Sequence, residues 1–398
     1  MKQKTKILHF PKGFLWGAAT SAYQVEGGIT NNDWETQNRL PKAGLACDHY
    51  RRYEEDFKLA KKLNQNAHRL SLEWARIEPQ KNEWDEEALH HYYHVLKFLK
   101  EQGFKTFVTL HHFTNPVWVA DQGGWVNKTT IQDFQDYAGK VAQSLGQYID
   151  YWITVNEPNL YADLGYLTGK FPPFKRSLLK AQRVYKNLLR AHNKVYQMIH
   201  AYYPEAQVGF AQNFPWRKAS RRYNIFDQLA VRVANWIEYD YPYGRTKNDF
   251  IGVNHYSDTH LKVTFNPARG FIELHRHPGE ASDRDWPIHA HAIYQVLLKL
   301  KTLQKPVYIT ENGLADAEDK QRGEYLREYL IQIHRAIKAG VDIRGYLHWS
   351  LMDNFEWEDG YRWKFGLLEV NFKTQKRKIR KSALYYARIC KNNELTLG

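Results

Sequence analysis

Two glutamates in this 398-residue chain stand at positions where a carboxylate can do chemistry. Glu157 closes the apolar run Trp-Ile-Thr-Val-Asn-Glu-Pro, and Glu311 closes Val-Tyr-Ile-Thr-Glu-Asn-Gly. A carboxylate at the end of an apolar strand is buried at a cost unless partners or function compensate. Two of them facing one pocket divide acid and base roles when their environments push their pKa values apart. The plainer reading of either Glu alone is a helix cap or an arginine partner. Arg69 is the cation placed to keep one of the pair ionised.

The elements that would position these groups follow from hydrophobic periodicity. Eight short runs rich in β-branched and aromatic residues read as strands: 15–20, 68–72, 106–110, 151–155, 207–211, 251–253, 307–310 and 343–348. Between them apolar residues recur with helical spacing, as in Tyr53, Phe57, Ala60 and Leu63, in Leu89, Tyr93, Leu96 and Leu99, in Val184, Leu188, Ala191, Val195 and Met198, and in Leu326, Leu330, Ile333 and Ile337. Strict alternation predicts an α/β protein with a parallel sheet. Eight units favour closure into a single (β/α)8 TIM barrel over an open doubly wound sheet. No linker or composition break divides the chain, so one domain over residues 1–398 is expected.

The residues after each strand carry the functional signal. They are Gln24, Glu73 with Trp74, His111 with His112, Asn156 with Glu157, Asn213, Asn254 with Tyr256, Glu311 with Asn312, and Trp349 with Asp353 and Glu356. In a parallel barrel these positions converge on the C-terminal rim, where such enzymes keep their active sites.

Composition narrows the alternatives. With 43% hydrophobic and 25% charged residues the chain can bury a large core. Its net charge of +14 fits an anionic substrate, nucleic acid or simple solubility, and by itself selects none of them. Cys47 and Cys390 are too few for a disulfide scaffold, and the basic start lacks an apolar stretch of signal length, so a reduced, cytoplasmic protein is expected. No window approaches eighteen apolar residues, so no membrane span is expected. Aromatic residues make up 15% of the chain, enough to furnish both a core and platforms for sugar rings or bases.

Taken in order, the motifs Phe14–Gly27, Cys47–Tyr50, Arg69–Arg76, Thr109–His112, Thr154–Pro158, Gly252–Tyr256, Ile309–Gly313 and Trp349–Trp357 resemble those of the family 1 glycoside hydrolases, the β-glucosidase and β-galactosidase group, over nearly the whole chain. The resemblance implies a retaining β-glycosidase with no cofactor and no metal, whose partner is a small-molecule β-glycoside. Glu157 would be the general acid/base and Glu311 the nucleophile, a division that requires carboxyl groups about 5 to 5.5 Å apart. The negative charge of Glu311 would hold Glu157 protonated until the covalent intermediate forms. Arg69, Asn254 and Tyr256 would support catalysis, with Arg69 and Tyr256 keeping Glu311 ionised. Gln24, His112, Asn156, Glu356 and Trp357 would bind sugar hydroxyls, Trp349 would lie beneath the ring, and Phe365 would wall off the 6-position. A carboxylate at Glu356 would repel phosphate, which implies a neutral β-glucoside, with β-galactosides and β-fucosides as alternatives. The rival readings are a 6-phospho-β-glycosidase, a transglycosylase, or a binding barrel without turnover.

Several segments depart from the family pattern. Trp34–Cys47 is abbreviated, and Asn213–Phe250 is expected to hold a single helix where relatives carry a longer excursion. The aglycone side should therefore be open and accept varied aryl or alkyl groups. His111–Pro116 replaces the usual sequence there, with Phe113 standing for Trp, and Glu73 replaces a small or aliphatic residue. Adjacent strand residues point to opposite faces, so His111 and His112 do not form a metal pair. The His90–His94 run reads as helix surface around a core tyrosine, and Trp74 as either core or pocket. Lys373–Lys381 reads as a solvated basic face, and no nucleic-acid partner is expected. Oligomeric state is left open.

Overall fold

The computed structural model describes residues 6–264, 272–276 and 279–397. Its centre is a closed eight-stranded parallel barrel. We label the strands β1 (Leu15–Ala19), β2 (Ala67–Ser71), β3 (Lys105–His111), β4 (Tyr151–Asn156), β5 (Gln207–Asn213), β6 (Ile251–Asn254), β7 (Val307–Asn312) and β8 (Ile343–Trp349). Each pairs with its sequence neighbours, and β8 closes onto β1. The principal helices that follow them are α1 (His49–Lys62), α2 (Glu86–Glu101), α3 (Thr130–Leu145), α4 (Leu178–Tyr202), α5 (Ile225–Asn235), α6 (His291–Leu300), α7 (Arg322–Lys338) and α8 (Lys381–Asn392). The expected strands are all present, within a residue or two at their ends.

Two apolar layers hold the barrel. Within its lower end Phe107, Ile153, Phe250, Tyr308 and Leu347 fill the interior, and the Phe107 and Tyr151 rings stack at 4.1 Å. Outside, the expected helical stripes bury Phe57, Ala60 and Leu63, then Leu89, Leu96 and Leu99, then Val184, Leu188, Ala191 and Val195 against the strands. On α2 it is Tyr92, not Tyr93, that is fully buried, while His90 and His94 are exposed. Trp74 is core: its ring stacks on Tyr137 at 5.1 Å. Strand closure needs one glycine in particular, because a Cβ on Gly17 would lie 2.0 Å from the Ala67 carbonyl oxygen.

Two expectations are corrected. The region between β5 and β6 holds more than one helix: Trp216–Ala219 is a strand that pairs with Asp258–Val263, which pairs in turn with Ile272–His275, forming a three-stranded sheet outside the barrel. Its alternation is too short to register as a strand pattern. The basic stretch 373–381 is only partly solvated. Arg377 is buried against Asp56 at 2.7 Å, and Arg380 against Asp353 at 2.8 Å, so these two guanidiniums tie the antiparallel pair Leu368–Asn371 with Lys376–Ile379 and the start of α8 to the rest of the fold. Among the described residues no helix is long and apolar enough to cross a membrane.

Candidate active site

Both carboxylates lie at irregularities in the barrel ladder. Register shifts fall between Ile153 and Asn156 on β4 and between Ile309 and Glu311 on β7, where an extra residue re-aims the side chains. Glu157 follows β4 with φ +45°, a left-handed turn that costs about 1 kcal/mol for a side-chain residue, and Pro158 then opens the short helix Pro158–Ala162. Its amide is held by the Ala211 carbonyl at 2.7 Å. Glu311 pairs in register with Asn254 across β7 and β6. Gly313, two residues on, passes so close to Trp349 that a Cβ would sit 1.8 Å from its carbonyl oxygen, which presses the end of β7 against the end of β8.

One hydrogen-bond network joins the two glutamates. Arg69, wholly buried, donates from Nη1 to Glu311 Oε1 at 2.5 Å, from Nη2 to Asn156 Oδ1 at 2.6 Å and from Nε to Thr109 Oγ1 at 3.1 Å. Tyr256 Oη donates to the other Glu311 oxygen at 2.6 Å. Asn254 Nδ2 donates to Glu157 Oε1 at 2.8 Å and to Asn156 Oδ1 at 3.1 Å, and its Oδ1 accepts from Thr310 Oγ1 at 2.7 Å. Asn254 therefore links Glu157 to the Arg69 network. Thr109 and Thr310 are site residues that the sequence reading missed. Threonine inside a strand is too common to signal such a role.

The electrostatics separate the pair. Burial, and secondarily the charge of Glu311, push Glu157 up to about 8. Burial raises Glu311 as well, but Arg69 and the Tyr256 hydroxyl oppose it. Arg69 and Tyr256 thus favour the charge on Glu311, while burial and that charge favour the proton on Glu157. The charge of Glu311 raises Glu157 as expected, and burial is the larger cause.

Around them lies an aromatic and polar cup. His112 Nε2 sits 3.2 Å from Asn156 Nδ2, and burial beside Arg69 holds the imidazole well below its usual pKa, so it is neutral. Its ring is near-parallel to those of Trp349 at 6.1 Å and Trp357 at 6.0 Å. Trp349 Nε1 is 3.4 Å from Glu356 Oε1, and burial pushes Glu356 up to about 8. Phe365 packs with Ala19, Ala315 and Trp349, and its ring faces Tyr256 and Trp286. Trp286 and Arg284, which precede α6, are further neighbours missed in the sequence. They lie away from any strand end, where only the tertiary structure brings them in. Gln24 is buried but differently engaged than expected: its Nε2 donates to Asn354 Oδ1 at 3.0 Å and the Phe355 carbonyl at 2.6 Å, and Ser21 Oγ donates to its Oε1. Its amide thereby locks the 354–357 turn that carries Glu356 and Trp357. His111 points into the core, bonding Asn115 and Trp125.

A barrel whose rim joins a protonated and a charged carboxyl through a buried arginine, inside a cup of tryptophans, is an O-glycosyl hydrolase. The chain belongs to glycosyl hydrolase family 1, whose model matches residues 6–231 and 227–395. Beta-glucosidase A of Acetivibrio thermocellus is 33% identical over 96% of this chain and 98% of its own length. A 6-phospho-beta-galactosidase of Clostridium acetobutylicum is 28% identical over 97% and 98%. The solved structure of a beta-glycosidase from Pyrococcus horikoshii superposes with a TM-score of 0.93 at 35% identity, covering 98% of this chain and 96% of that one. The family's general reaction is glycoside hydrolysis with retention.

Proposed function

We propose that the enzyme hydrolyses non-phosphorylated β-glucosides, with Glu311 as nucleophile and Glu157 as acid/base, in one domain that spans the chain. Glu311 attacks the anomeric carbon as Glu157 gives its proton to the glycosidic oxygen, and the aglycone leaves as an alcohol. Water then attacks the same carbon, returns a proton to Glu157 and releases Glu311, so the β configuration is restored. The observation that carries this reading is the buried hydrogen-bond network that joins the two carboxyls through Arg69 and Asn254.

His112, Asn156, Glu356, Trp357 and Trp349 supply the groups a pyranose requires, polar edges around an aromatic platform. Gln24 supports that set through the turn it locks, and Phe365 closes the 6-position side. The preference for an unphosphorylated sugar rests on local charge. Beside Glu356, Arg284 already pairs with Asp359 at 2.5 Å and Glu358 at 3.4 Å. Asp359 and Glu358, which take up Arg284, disfavour a phosphate there, while Glu356, raised to about 8 by burial, would meet a sugar hydroxyl as a hydrogen-bonding carboxyl. A reducing, cytoplasmic setting is supported by the free, buried Cys47 and Cys390.

Incubation with a 2-deoxy-2-fluoro-β-glucoside, followed by peptide mass mapping, tests the assignment. The adduct is expected on Glu311. An adduct on another residue overturns it.

A further inference from the structure

The face built by α5 and its continuation is apolar and uncovered. At 100° per residue, Ile225, Leu229, Val233, Trp236 and Ile237 fall within about 120° of arc. All five are exposed, from 39% at Ile237 to 75% at Ile225. The opposite side is anchored: Asp227 is buried beneath Arg221, and Glu238 beneath Arg217 at 2.8 Å. The exposed stripe is therefore a built surface on a fixed helix. It runs into a cleft of about 670 Å³ that Trp236 and Ile237 share with Leu167 and Leu179, and Leu179 is 78% exposed. Ordinary monomers rarely leave so many large apolar side chains contiguous.

The same cleft is edged by cations. Arg183, Lys186 and Arg190 project from α4, exposed, and among the described residues none of them pairs with a carboxylate. Asp163 is the one acidic residue on the cleft wall. An apolar helical stripe bearing tryptophan and leucine, bordered by lysine and arginine, is suited to the interface of a bilayer. Anionic lipid headgroups would meet the unpaired cations, each contributing about fivefold to partitioning. A second copy of this chain is a poorer occupant, because it would bring an identical cationic border and a further +14 of net charge against the first. We propose that this face docks the enzyme peripherally on an anionic phospholipid surface, with the α5 stripe in the headgroup layer and Arg183, Lys186 and Arg190 on the lipid phosphates. The cleft also contains Ala162 and Asn159, from the short helix that follows Glu157, so docking would occur beside the barrel mouth.

Co-sedimentation of the full chain with vesicles tests this. Phosphatidylcholine vesicles containing phosphatidylglycerol should pull down the enzyme at low salt and release it at high salt, and vesicles of phosphatidylcholine alone should bind far less. The variant Leu229→Ser/Trp236→Ser/Ile237→Ser should lose sedimentation, and Arg183→Gln/Lys186→Gln/Arg190→Gln should weaken it about a hundredfold or more. Hydrolysis of a soluble aryl glucoside serves as the folding control and should be unchanged in both. If the apolar variant fails to fold, the charge variant still decides the outcome. Absence of sedimentation, equal binding to both vesicle types, or equal binding by the charge variant overturns the proposal. So does a wild-type dimer in light scattering that the apolar variant splits while vesicles capture neither.

Discussion

The guanidinium of Arg69 lies 2.5 Å from Glu311 Oε1 with no solvent access to the cation. The pair lies at the top of the barrel interior, where charge is costly to bury and an unpaired partner costs more still. Arg69 thus works on Glu311 in two ways, holding its charge and fixing its direction.

Replacing the cation should therefore raise the nucleophile's pKa. In Arg69→Met the acid limb of the kcat/KM profile is expected to move to higher pH, since the proposed mechanism has Glu311 attack in its ionised form. Activity should fall by about a hundredfold or more, and stability by about 3 kcal/mol. A pH profile with an aryl glucoside, paired with denaturant unfolding, reads both. An unmoved acid limb would contradict the role given to Arg69.

Glu157 must carry its proton to act as acid, so turnover of unactivated glucosides should decline as pH rises through about 8. Glu157→Gln should lose that alkaline limb. Its rate on poor leaving groups should fall by about 10² to 10⁴ while activated nitrophenyl glycosides are affected far less in the glycosylation step. Equal loss on both substrate types would argue against the assignment.

Glu73 offers a stability test away from the reacting atoms. It is buried, it accepts from Asn32 and Thr114, and burial together with nearby Glu26 raises it to about 7 from an ordinary 4.5. The native protein keeps this proton longer than the unfolded chain. Stability is therefore full below the ordinary value and lost as pH rises through about 7, by up to about 3 kcal/mol. Glu73→Gln should unfold at a higher temperature than wild type near pH 8 and show little gain near pH 4. Asp33, also raised to about 7 by burial, leaves a residual slope in the variant. Calorimetry across that range provides the measurement.

Glu356→Ala should weaken use of glucosides by about 10- to 100-fold, the worth of a lost polar sugar contact. It should gain no useful rate on 6-phosphoglucosides, because Glu358 and Asp359 remain. Paired nitrophenyl substrates separate the outcomes.

Arg377→Met strands a buried Asp56 that also bonds His49, and should cost about 3 to 5 kcal/mol in stability with KM unchanged. Urea melts and steady-state kinetics together distinguish this from a catalytic effect.

The barrel was legible because periodicity is local. The alternation of strand and helix, the residues each strand ends on, and the stripes such as Val184–Leu188–Ala191–Val195 are decided within a few dozen residues. Strand ends of a parallel barrel must meet at one rim, so Glu157, Glu311, Asn156 and Asn254 could be named together. Partner choice is different in kind. Arg69 meets Glu311 across 242 positions of chain, and the Gln24 amide bonds Asn354, 330 positions distant, and its neighbour Phe355. Burial, the larger cause of Glu157's raised pKa, is a property of everything packed around it. The same holds for Arg377 and Arg380, which composition reads as solvated, and for the α5 stripe, which periodicity alone would assign to the core. Sequence determined which faces are apolar and which residues end each strand. Only the tertiary structure decided what each face meets, because solvent exclusion and charge pairing are set by neighbours brought from far along the chain.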